Sequence, residues 1–413
     1  MNAPARSIGL LWVFLAVTAC TTTASPTPSA STGATTAPGQ LESRAPAVSP
    51  VPSALGLTQA RSATPIRGAG TIHSISNMAV DRAAHTATQL PNGMVLIAGG
   101  FGGRNDTYYD SAELYDPATQ TFAPTGAMSA KRCCHTATLL PSGKVLIAGG
   151  FDGDYLSSAE IYDPATGRFT PTGRMTTARD EHIAVLLQNG KVLLAGGVGT
   201  GWTFLASAEL YDPATGEFTP TGSMTAPREG HTMTVLHDGR VLVAGGHRGR
   251  HSAITIYASA ELYDPATGLF ALTGNMTVKR HKHDAVLLPN GRVLISGGSD
   301  ERDDLDAYTS TEQYDPATGT FSASADMPSA RYKHQGTSVV LKNGMVLIAG
   351  GAKTAVLYDP LTNAFRTVAG DVGTARLSRL FATATLLPSD QVLIAGGYGL
   401  NQSTSAGAWL YKP

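Results

Sequence analysis

From about residue 70 to the end of the chain, short apolar runs alternate with turn residues. Residues 136–171 show the pattern. Thr136-Ala-Thr-Leu-Leu140 predicts a short strand, and Pro141-Ser-Gly-Lys144 a tight turn. Val145-Leu-Ile-Ala148 is almost wholly apolar, which predicts a strand covered on both faces, ended by Gly149-Gly150. A variable stretch follows, then Ser158-Ala-Glu-Ile-Tyr162 as a third strand. Asp163-Pro-Ala-Thr-Gly167 places Pro and Gly where a hairpin turn needs them, and Arg168-Phe-Thr-Pro171 is the fourth strand. The same order recurs along the chain. Val-Leu-Ile-Ala-Gly-Gly or a close variant ends at Gly100, Gly150, Gly197, Gly246, Gly298, Gly351 and Gly397, at spacings of 46 to 53 residues. A period of this size signals stacked supersecondary units. Four short hairpin-joined strands per unit describe one propeller blade, so the predicted fold is an all-β, seven-bladed propeller.

The paired glycines after the second strand, the tyrosine in the third and the aromatic in the fourth resemble the kelch repeat. That aromatic is Phe122, Phe169, Phe218, Phe270, Phe321 and Phe365, where kelch repeats usually carry Trp. The resemblance covers roughly residues 70–413. It implies a propeller whose first strands line a central channel. The second-to-third loops and the fourth-to-first connections would share one face. Kelch propellers serve as adaptors, binding modules and enzyme scaffolds, so the resemblance speaks to fold far more than to function.

The two ends predict how the ring closes. Ala408-Trp-Leu-Tyr411 aligns with the third strand of the other units, and no fourth strand follows it. Thr71-Ile72 through Met78 aligns with a fourth strand and has no unit of its own. We expect this N-terminal strand to complete the last blade and remove two open sheet edges. The propeller is assigned to residues 67–413.

Residues 1–19 read as a signal peptide, with Arg6 ahead of a 12-residue apolar run at 8–19, too short to span a bilayer. Val17-Thr-Ala-Cys20 resembles a bacterial lipobox, which implies lipidation at Cys20 and export to the membrane. Thr21, following it, resembles the outer-membrane signal of a Gram-negative host. The Thr/Ser/Pro/Ala-rich stretch within 20–66 reads as a disordered tether with a reach of about 35–40 Å.

The second-to-third loops differ in every unit: 101–110, 151–157, 198–206, 247–258, 299–309, 352–354 and 398–404. The hairpin turns assigned to the opposite face barely change. Loops on a rigid scaffold carry function, so the variable-loop face is the expected binding surface. Tyr108, Tyr109, Tyr155, Trp202, Tyr257, Tyr308 and Tyr398 are its candidate anchors.

The first six units also carry Met-x-x-x-Arg-x-x-His; the seventh keeps Arg379 but has Ala382 in place of His. A feature present once per unit is first of all a part of the blade. The expected partner of each arginine is a third-strand glutamate: Glu113, Glu160, Glu209, Glu261 or Glu312. Units six and seven have Val356 and Trp409 at that position. Arg331, Lys353 and Arg379 therefore suggest a basic notch for an acidic peptide or glycan group, a grip the kelch resemblance also implies.

Composition adds limits. A net charge of −1 gives no case for nucleic acid, and membrane contact is expected only through the lipid anchor. Three cysteines make no disulfide scaffold, and the neighbours Cys133 and Cys134 are poorly placed to bridge. The expected function is a non-catalytic, monomeric platform for an envelope protein or glycan, with no cofactor and no metal. The competing class is a galactose-oxidase-like or other carbohydrate-active enzyme at the channel mouth. Against it, the chain ends with unit seven, and Tyr332-Lys-His334 does not reproduce that family's adjacent Tyr-His pair. The acidic run at 300–306 reads as a solvated loop rather than a Ca²⁺ site, since it lacks the EF-hand glycine and terminal glutamate.

Overall fold

The computed structural model describes residues 68–103, 107–250, 253–300, 307–370, 379–399 and 403–413. Cys20, the leader, the tether and most of the acidic 300–306 run lie outside them. Every predicted unit is a four-stranded antiparallel sheet; in the first six the strands lie in chain order, and in the seventh the N-terminal strand takes the outermost place. Blade one holds Thr86–Gln89, Val95–Ala98, Ala112–Asp116 and Thr121–Pro124. Each first strand packs beside the first strands of the two neighbouring blades, and the first blade meets the seventh. The result is a seven-bladed propeller.

The second strands explain the fold's solidity. Val95–Ala98, Val145–Ala148 and their equivalents are fully buried, because a neighbouring blade covers each face. Each such Val, Leu or Ile contributes about 1.5–3 kcal/mol. The described core divides into seven apolar clusters, one at each blade interface. Tyr115–Phe122 and the matching pairs in blades two to six stack within each sheet at 4.8–5.0 Å.

The ring closes as expected. Thr71–Ser74 pairs antiparallel with Ala408–Lys412, placing Ile72 against Tyr411 and Ser74 against Trp409. Ile72 is buried between blades six and seven, and its amide donates to the Ala369 carbonyl at 2.9 Å.

The double glycines are docking slots between blades. The Gly149 carbonyl accepts from Arg132 of its own blade at 2.7 Å. The Gly150 amide donates to the Arg179 carbonyl of the next blade at 2.9 Å. A Cβ on Gly149 would stand 2.5 Å from that carbonyl and 2.7 Å from the His182 ring, and both glycines have positive φ. No larger residue fits there.

Candidate functional site at the channel mouth

The arginines are internal braces. Arg132 is fully buried. Besides Gly149 it reaches the Ser158 carbonyl at 3.2 Å, Ser158 Oγ at 3.2 Å and Glu160 Oε1 at 2.9 Å. The other glutamate oxygen accepts the Ser129 amide at 2.8 Å. Arg82, Arg179, Arg228 and Arg280 repeat the pattern with the expected glutamates at 2.8–3.0 Å.

The histidines are rivets. Nε2 of His85, His135, His182 and His283 lies 3.0–3.1 Å from a threonine hydroxyl of the preceding blade, Thr383, Thr86, Thr136 and Thr232. His334 meets the Ser296 carbonyl at 3.0 Å instead. Nδ1 of these five rings has no hydrogen-bond partner among the described residues. A second ring proton would therefore be stranded. Burial accordingly lowers their pKa values, to about 3 for His85 and His334, and it does the same to the sixth ring, His231, which makes no such contact among the described residues.

Between each arginine and the histidine position lie two residues that the repeat motif leaves open, and they form the mouth. The inner member is Ala84, Cys134, Glu181, Gly230, Lys282, Lys333 or Phe381, and every one has a left-handed φ between 47° and 63°. Their amides link blade to blade: Cys134 to the Ala84 carbonyl, Glu181 to Cys134, Lys282 to Gly230, Lys333 to Lys282, Phe381 to Lys333 and Ala84 to Phe381, at 2.8–3.1 Å. This hoop of six backbone bonds thus presents seven residues of six kinds. The outer member bridges to the residue after the double glycine in most blades, as in Cys133 with Phe151, Asp180 with Val198, Glu229 with His247 and His281 with Ser299.

Charge gathers on one side of the hoop. Glu229, His247, His281 and Lys282 are buried, and Asp180 and Glu181 are half-buried. His247 Nε2 lies 3.7 Å from Glu229 Oε2, and its Nδ1 lies 3.1 Å from Nδ1 of His281. His281 Nε2 meets the Asp300 carbonyl at 2.8 Å and Ser299 Oγ at 3.0 Å. A carbonyl only accepts, so His281 donates from Nε2 and, when neutral, accepts at Nδ1 from His247. Burial, followed by the Glu229 carboxylate, pushes Glu181 above the usual carboxylate range, and Lys282 opposes the shift. Asp180 is raised by burial and then by Glu181, and Glu229 mainly by burial. The two glutamates perturb each other in opposite senses, Glu229 raising Glu181 and Glu181 lowering Glu229. Over blades six and seven the mouth is aromatic instead. Lys333 lies among Tyr332, Phe381 and Tyr398, with Nζ 3.3 Å from the Tyr398 hydroxyl.

Apart from Tyr398, beside Lys333, the candidate anchors separate into two groups. Tyr109, Tyr257 and Tyr308 lid the buried Arg82, Arg228 and Arg280 at 4.9–5.6 Å. Tyr108, Phe151, Tyr155 and Trp202 run edge-to-face across three blades at 5.2–5.9 Å, and the Arg250 guanidinium lies over the indole. Trp202 is 41% exposed.

The structure does not present the expected basic notch as a surface. Arg331 and Arg379 are 0% and 2% exposed, and only Lys353 reaches solvent. Arg331 turns inward to the carbonyls of Gly350, at 2.7 Å, and Thr354. Arg379 lies 4.1 Å from the face of Trp409, which replaces the glutamate. Burial lowers Arg331 to about 9 and Arg379 to about 10. Losing the glutamate therefore did not free the guanidinium; carbonyls and an indole took its place. The hoop residues escaped notice in the sequence because the repeat motif skips them. Their signal is divergence at two fixed positions inside an otherwise constant segment.

On the opposite face, an open groove of 490 Å³ is lined by Leu236, His237, Asn290 and Gly291 among others. Its charges are tied in surface pairs, Arg240 with Asp238 and Arg292 with Asp315. It is built from the turns that every blade repeats.

Comparison with known proteins agrees with this geometry. The kelch motif model matches residues 132–176 and 182–225. No curated protein matches the chain. Among solved structures, a fungal alcohol oxidase of the AA5 family in complex with copper superposes with a TM-score of 0.67. It is 17% identical over 83% of this chain and 76% of its own, a likeness of fold alone.

Proposed function

We propose that this seven-bladed β-propeller, which carries kelch motifs at 132–176 and 182–225, is a binding platform whose ligand sits at the channel mouth of the variable-loop face. One observation carries this reading. The fold holds seven hoop residues in one backbone conformation, while their side chains range from Ala84 to Glu181 and Lys282. Structure alone would be served by one residue type repeated. The charged side over blades three to five, beside the Tyr155–Trp202 row, suits a polar ligand that gives and takes hydrogen bonds. A glycan or a polar peptide segment of an envelope protein has that chemistry.

Export and lipidation at Cys20 belong to the same proposal. They are tested by acyl-chain labelling, which a Cys20→Ser variant loses.

An oxidase reading draws on the copper-containing neighbour, to which this chain is alike in fold alone. Among the described residues, no group of three or more His, Cys, Asp or Glu side chains is arranged to hold a metal ion. The His334 ring is committed to the Ser296 carbonyl.

The test is a glycan array and an envelope-extract pull-down, run on the wild type, on Glu181→Ala/Trp202→Ala and on a Lys191→Ala control. Ala84 already occupies the hoop, so alanine is compatible with the fold there. Ligands that bind the wild type and the control but not the double variant support the proposal. Stoichiometric copper with alcohol oxidation would replace it.

A further inference from the structure

Cys133 and Cys134 are the outer and inner mouth residues of blade two, and their sulfurs lie 3.1 Å apart. The hoop creates this contact. Cys134 is held at φ 56° by its amide on the Ala84 carbonyl and by the Glu181 amide on its own carbonyl, at 3.1 and 3.0 Å. Cys133 exchanges two 3.0 Å backbone bonds with Phe151. Both thiols are free; Cys133 is buried and Cys134 is half-buried at the mouth. Adjacency in sequence, which argues against a bridge, is thus offset by a backbone that already brings the side chains together.

We propose that Cys133 and Cys134 form a reversible vicinal disulfide, a redox-sensitive modification site at the channel mouth. The oxidant is a disulfide of small-molecule or protein origin. The Cys134 thiolate, the more accessible one, attacks it and expels one thiolate, which takes up the released proton. Cys133 then loses its proton, attacks Cys134 Sγ in the mixed disulfide and expels the second thiol. Two cysteine thiols and one disulfide become one intrachain disulfide and two thiols, and two electrons pass to the oxidant. The hydrogen bond with Cys133 and burial raise the Cys134 pKa, so the exchange is slow at neutral pH. Consecutive Cα atoms lie about 3.8 Å apart, below the usual range for a disulfide, so the bond is strained and readily reduced. That suits a switch better than a staple. The strain falls on the hoop bonds to Ala84 and Glu181, so closing the bridge alters the mouth itself. The chemistry holds whether or not a ligand binds there.

The test uses the full chain in thiol–disulfide buffers of stepped potential, quenched with acid and digested with trypsin. The peptide 133–144 carries both cysteines and no others. It is expected to become two hydrogens lighter at the oxidising end and to revert with dithiothreitol. Phenylarsine oxide, which bridges paired thiols, is expected to bind once per reduced chain and not to the oxidised one. Cys133→Ala should trap the mixed disulfide on Cys134 and lose the arsenical. Blade one has Ala83-Ala84 in the same conformation, so this variant keeps the fold, as circular dichroism would verify. Two free thiols in the peptide across the whole range would overturn the proposal, as would arsenical binding by Cys133→Ala equal to the wild type.

Discussion

The buried ionisable residues decide how this protein answers acid. His85, His231 and His334 are held neutral, with folded pKa values of about 3 against an ordinary 6.5. Unfolding lets them take up protons between those values, so their contribution is complete above about pH 6.5 and shrinks as pH falls toward 3. Denaturant midpoints should drop steadily over that window, and His85→Gln should flatten the fall; a pH-independent midpoint would refute the rivet role. The arginine brace gives a second expectation. Glu160→Gln leaves Arg132 buried without its carboxylate and should cost about 3 kcal/mol, at the lower end for a broken buried pair. Blade six shows why the chain would still fold, since Arg331 is buried on carbonyls beside Val356. Equilibrium unfolding in urea measures the loss.

At the scale of the element, the second strand and its double glycine are what a single sequence reveals best. Both strand faces are covered, so the residues must be apolar, and the glycine slot admits no Cβ, so the pair must recur. The closing strand was readable for a related reason, because Thr71–Ser74 keeps the fourth-strand pattern. Deleting residues 67–77 removes the burial of Ile72 and a four-residue ladder, about 5 kcal/mol in all. The melting temperature should fall by about 10 °C. An unchanged melting temperature would mean that the ring closes some other way. What the sequence could not convey is the direction of a side chain. Arg331 and Arg379 looked free because their glutamates were missing, yet a guanidinium can be satisfied by carbonyls or an indole face, which leave no covarying partner.

For the whole molecule, sevenfold repetition separates framework from site. What recurs (arginine and double glycine in every blade, histidine in six, the hairpin turns) braces a blade or holds neighbouring blades together. Whatever differs at constant backbone geometry is available for recognition, and it concentrates at the channel mouth over blades two to five. The cysteine pair lies on the hoop beside Glu181, so a redox change there and a ligand would act on the same few residues. The most direct test of this division is the affinity of the first ligand identified, measured by calorimetry on Glu181→Ala/Trp202→Ala and on Lys191→Ala. The expected result is at least a tenfold loss, about 1.4 kcal/mol, for the mouth variant and no change for the opposite-face variant. Equal affinities for the two, or a loss confined to Lys191→Ala, would contradict it.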